Sequence, residues 1–150
     1  MSLPYSNSTS GRSAMDDIRK TIQAFGCSKF APMEDFAEGK VIIQFEYRGR
    51  TVQVEASAKG YAAVWLRVNP WTNRMRRTQK EHEKRALEQG QIAVWSILRD
   101  WIKGQLTAVE TGILSFEAAF LGQIMLSTGE TVIERVTSQG LLAAPKEDRP

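Results

Sequence analysis

The chain has 150 residues, 42% of them hydrophobic and 25% charged, with a net charge of +3 and a single cysteine. These values suit one soluble domain around one core, and they exclude an internal disulfide framework and a multi-cysteine metal site. No stretch reaches the ~18 consecutive apolar residues of a membrane span, and the polar start MSLPYSNSTSGRSAM lacks the basic-then-apolar order of a secretory signal. A cytoplasmic protein with no membrane contact is expected.

Residues 1–12, rich in Ser, Asn, Gly and Thr, read as a disordered leader; residues 13–140 read as a single α+β domain, and residues 141–150 as a flexible tail. Ser13 is placed to cap a first helix with Asp16 and Asp17 in its opening turn, Met15, Ile18, Ile22 and Phe25 on one face, and Gly26 as its stop. Cys27, Phe30, Pro32, Met33 and Phe36 then read as apolar anchors of an irregular link. From Lys40 to Ala56 the apolar residues alternate, which predicts a hairpin closed by Arg48-Gly49. Its register sets Phe45 opposite Val52, Ile43 opposite Val54 and Val41 opposite Ala56 on one side, with Glu46 facing Thr51 and Gln44 facing Gln53 on the other.

Ala58, Ala62, Ala63 and Leu66 favour a helix over residues 57–67 capped by Ser57, although Gly60-Tyr61 would also allow the sheet to continue. Pro70 disfavours helical angles just before it, and Trp71 to Arg77 follows as a basic loop. Thr78 and Glu81 form a capping box that opens the longest helix, about 78–111. Leu87, Val94, Trp95, Leu98, Trp101, Ile102, Leu106 and Val109 mark its apolar stripe, Gly90 and Gly104 mark close contacts or a kink, and Gly112 ends it. Ser115 caps a further helix through Phe116, Phe120, Leu121 and Ile124. Ser127 to Glu130 make a turn, Thr131 and Glu134 a second capping box, and Gly140 ends a short last helix. The expected fold is α+β: a two- or three-stranded antiparallel sheet built on the hairpin 40–56, packed on the long helix, with shorter helices around it.

The charge is local. Between Arg67 and Arg85 stand Arg67, Arg74, Arg76, Arg77, Lys80, Lys84 and Arg85 against only Glu81 and Glu83, so seven cations less two carboxylates give +5 in nineteen residues. Lys80 and Lys84 share a helix face, which makes a stripe about two turns long that suits several phosphates. Trp71 lies outside any apolar periodicity and is the candidate to stack on a base, whereas Trp65, Trp95 and Trp101 share helical spacing with core residues. The opposing reading of the same run is a solvated helix start with pairs such as Lys80–Glu83 and Glu81–Arg85.

Nothing comparable supports catalysis. His82, the lone histidine, sits between Glu81 and Glu83, and adjacent helical residues point about 100° apart, so an exposed or salt-bridged side chain is expected. Cys27 follows a helix C-terminus, whose dipole disfavours a thiolate, and reads as buried and inert. The carboxylate sets Asp16 with Asp17, Glu34 with Asp35, and Glu110 with Glu117 are explained by a helix start, a solvated loop and backbone amides. No glycine-rich phosphate loop occurs, and neither metal nor cofactor is expected.

From Arg99 on, the chain resembles small proteins encoded in phage and prophage genomes. The likeness lies in the helix end Ala-Val-Glu-Thr-Gly-Ile at Ala108 to Ile113, the Phe-Glu-x-x-Phe-Leu segment at Phe116 to Leu121, and the turn with Gly129 before Thr131-Val132. Asp17-Ile18-Arg19-Lys20 and Tyr47-Arg48-Gly49-Arg50 are similar too, so the resemblance spans most of residues 16–136. It implies a phage or prophage setting and transfers no functional residue. The expected function is a small non-enzymatic nucleic-acid-binding accessory protein in replication, recombination or transcription, on single or double strands. Arg74, Arg76, Arg77, Lys80, Lys84 and Arg85 would hold phosphates, and Trp71 a base. The alternatives are a modulator of a host or anti-phage defence complex and, behind it, a metal-dependent nuclease; the wide stripe also allows a homo-oligomer.

Overall fold

The structure is a computed structural model that describes residues 2–146. Helix α1 (Gly11–Phe25) is followed by strands β1 (Lys29–Asp35), β2 (Lys40–Tyr47) and β3 (Arg50–Ser57) and by helices α2 (Ala58–Val68) and α3 (Gln79–Glu110). The short helix α4 (Phe116–Phe120), a 3₁₀ turn (Leu121–Gln123) and α5 (Val132–Ser138) complete the chain. The fold is α+β, with a three-stranded antiparallel meander in the order β1-β2-β3.

The hairpin has the register its alternation dictates, with Phe45 opposite Val52, Ile43 opposite Val54 and Val41 opposite Ala56. Arg48 and Gly49 both take positive φ, 48° and 79°, the backbone a two-residue turn needs to match the twist of its strands. The third strand is a correction to the irregular link. Residues 29–35 pair along β2, with Phe30 opposite Phe45 and Pro32 opposite Ile43. Pro32 conceals this strand in the sequence, yet on an edge strand its missing N–H need not break the ladder.

Helix α1 starts earlier than the sequence indicates. Ser10, not Ser13, is the cap, accepting a 3.1 Å bond from the Ser13 amide, so Asp16 and Asp17 lie beyond the first turn. The leader is tied to the body: the Tyr5 hydroxyl donates to Asp100 at 2.6 Å, the Tyr61 hydroxyl to the Pro4 carbonyl at 2.6 Å, and Gln89 Nε2 to the Ser8 carbonyl at 3.1 Å. The Phe116 helix is also shorter than its apolar spacing implies, and Ile124 leaves it to form an isolated bridge with Val52 beside β3. At Thr131 only one half of the second capping box is present, Glu134 N to Thr131 Oγ1 at 3.3 Å. Residues 141–146 are exposed outside any regular element, and the rest of the tail lies outside the described residues.

One core joins these elements. Ile18 and Ile22 of α1, Val41, Ile43 and Phe45 of β2, Trp95, Leu98 and Ile102 of α3 and Phe120 of α4 meet in a single buried cluster. Helix α2 packs against α3 at Gly90, where an added Cβ would stand 2.6 Å from the Ala58 carbonyl oxygen. This close approach fixes how the α2–α3 connection, and the basic run within it, is presented. Gly104 faces open space and marks no such contact.

Candidate nucleic-acid interface

Ser57 starts α2 by accepting the Gly60 amide at 2.9 Å, and Asn69 ends it, its amide bonded to the Trp65 carbonyl at 2.8 Å and Pro70 next in line. At the other side of the loop Thr78 and Glu81 make the full capping box. The Glu81 amide donates to Thr78 Oγ1 at 3.2 Å, and the Thr78 amide donates to Glu81 Oε2 at 3.1 Å. The Glu81 carboxylate is thereby committed to the helix start. The pairs of the opposing reading, Glu81–Arg85 and Lys80–Glu83, are both absent from the ion pairs of the described residues.

His82 corrects the sequence reading most sharply. It is 2% exposed, with Nε2 2.6 Å from the Asn69 carbonyl and the ring 5.1 Å from that of Trp65. A carbonyl only accepts, so Nε2 carries the proton and Nδ1 is left buried without a partner among the described residues. The flanking glutamates point outward while the imidazole points inward and fastens the first turn of α3 to Asn69, the residue that caps α2. It is a brace for the loop.

Trp71 forms a second brace. Its indole N–H donates to the Arg77 carbonyl at 2.8 Å across the loop, and the ring is half-buried. A turn in which the Met75 amide donates to the Thr72 carbonyl at 3.1 Å lies between them. Arg77 precedes the helix and is half-buried, with Nη1 lacking a partner among the described residues, so it does not continue the helical stripe of Lys80 and Lys84.

Arg67, Arg74, Arg76, Lys80, Lys84 and Arg85 are exposed, and none of them, nor Arg77, has an ion-pair partner among the described residues. Three of these cations occupy the first two turns of α3, the end of a helix where the macrodipole favours negative charge. Cations concentrated there gain nothing from the fold, so the folded chain presents a dense positive surface held on a braced loop. Such a surface attracts polyanions and gathers them at rates that depend on salt.

The remaining candidates are spent on structure. Trp95 is 1% exposed, with its indole N–H bonded to Glu34 at 2.8 Å, so Glu34 belongs to β1 and is not a free loop carboxylate. Trp101 meets Phe120 edge-on at 5.8 Å. Glu117 lies 3.5 Å from Arg50, and Asp35 accepts the Glu38 amide at 2.9 Å in the β1–β2 turn. Burial pushes the half-buried Cys27 thiol up to about 11, which suppresses the thiolate. Among the described residues no group of three or more His, Cys, Asp or Glu is placed to hold a metal ion, and no helix is long and apolar enough to cross a membrane. No protein-family model matches the chain, no curated protein matches its sequence, and no solved structure matches its fold.

Proposed function

We propose that this chain is a small, non-enzymatic nucleic-acid-binding protein, accessory to replication, recombination or transcription in a phage or prophage setting. The setting comes from the resemblance of residues 16–136 to phage-encoded proteins; the binding comes from the α2–α3 loop. The observation that carries it is the set of exposed cations at Arg74, Arg76, Lys80, Lys84 and Arg85, which have no intramolecular ion-pair partner among the described residues. In this reading they contact phosphates, while His82 and Trp71 hold the loop that displays them.

Fluorescence anisotropy against labelled DNA and RNA across a salt series tests the proposal. Binding is expected at low salt and should fall steeply as salt rises. Replacing Arg74, Arg76, Lys80 and Lys84 together by alanine should flatten the log–log salt slope by roughly 3 to 4, the counterion release of four phosphate contacts. Absence of binding to every nucleic acid at ~50 mM salt would overturn it.

A further inference from the structure

Resting on that reading, we infer that the patch takes a nucleic-acid duplex by its phosphate backbone, without base stacking, and disfavours single strands. Sequence-tolerant capture of a single strand relies on aromatic faces onto which bases can stack beside the cationic track. The tryptophans near the patch are already engaged in holding the fold. Trp65 lies against His82, and Trp71 is half-buried with its N–H committed to Arg77. Phe36 is the only aromatic ring left largely open among the described residues, 72% exposed, and it stands between Asp35 and Glu38. It is a single ring bordered by Asp35, Lys40, Leu87 and Gln91, whereas a single-strand track stacks successive bases on several rings.

What the patch does offer is charge density in a fixed frame. The patch's own cations on α3 run from Lys80 to Arg85, with Arg99 and Lys103 well separated from them further along the helix, so the patch occupies about 9 Å of helix beside the loop that holds Arg74 and Arg76. A duplex brings one phosphate for every ~1.7 Å of its axis and a single strand only half as many, so a compact patch meets more charge on the duplex. A braced loop also suits a stiff lattice of phosphates, because little ordering of the protein remains to be done on binding. The chemistry recognised is the duplex backbone, which B-form DNA and A-form RNA both present.

Anisotropy titrations at one low salt concentration test this with a labelled DNA duplex of about 20 base pairs, an RNA duplex of the same length and each separated strand. At least one duplex should bind about tenfold or more tighter than either of its strands, and the preferred duplex identifies the helical form. Trp71→Phe should weaken duplex and strand by the same factor, since it loosens the loop, and Phe36→Ala should leave their ratio unchanged. A strand bound as tightly as its duplex, or a loss confined to strands in either variant, would overturn the inference and leave the nucleic-acid function standing. Binding to none of the four classes of probe would overturn that function itself.

Discussion

Two glycines in one helix show how much a single hydrogen atom decides. A methyl group at Gly90 would be driven to 2.6 Å from the Ala58 carbonyl oxygen and 3.3 Å from the Ala62 amide, both backbone atoms that cannot rotate away. Gly90→Ala should therefore destabilise the protein by about 1–3 kcal/mol, despite the roughly 1 kcal/mol that alanine gains in helix propensity. Gly104, with nothing within 4 Å of its added methyl, should respond in the opposite sense, Gly104→Ala raising stability by up to about 1 kcal/mol. Thermal unfolding of the two variants checks the pair. In the sequence these glycines are equivalent interruptions of one apolar stripe, because the partner that separates them arrives from α2, some thirty residues upstream. His82 was illegible for the same reason: its neighbours Glu81 and Glu83 advertise an exposed position, while the groups that bury it, Trp65 and Asn69, belong to another helix and its end.

Elements whose logic is local were legible. The β2–β3 register follows from period-two alternation around Arg48-Gly49, and the start of α3 follows from Thr78 and Glu81, three residues apart. Strand β1 was hidden by Pro32 and by a pairing that only β2 can supply. The leader was misleading because small polar residues describe its composition and not its few anchors. Its contact with α3 makes a prediction in pH. A hydrogen bond from Arg99, then one from Tyr5, holds the Asp100 carboxyl below its ordinary value, and the bond to Asp100 raises the Tyr5 hydroxyl above its own. The Asp100 contribution is full above the ordinary carboxylate pKa and is lost as pH falls through the depressed one. The Tyr5 contribution is full below the ordinary phenol pKa and is lost as pH rises through the raised one. The Tyr5–Asp100 tie should hold between these limits and weaken beyond either, while the Gln89 tie to the Ser8 carbonyl does not titrate. Ring carbon NMR of Tyr5 should titrate above the usual ~10, and Asp100→Asn should return it toward that value.

At the scale of the molecule, α1, the sheet, α3, α4 and Ile124 share one buried cluster among the described residues. Denaturant unfolding should accordingly be a single transition, with the change in tryptophan emission, to which exposure of the buried Trp95 contributes, coinciding with the loss of helical circular dichroism. Two separated midpoints would show that α1 or the C-terminal segment melts apart from the rest. The location of the basic surface was legible from charge bookkeeping alone, since +5 in nineteen residues needs no structure to be noticed. Its rigidity was not, because the braces are a buried imidazole and an indole N–H that the sequence offers only as letters. A last consequence concerns α3 as a spacer. Its 32 residues form a rod of at most about 48 Å, with cations over its first two turns and the exposed Ile113 and Leu114 just past its far end. A polyanion seated at the Thr78 end would leave those apolar side chains uncovered. The helix thus keeps a charged end and a greasy end apart at a set distance, and what happens at one need not obstruct the other.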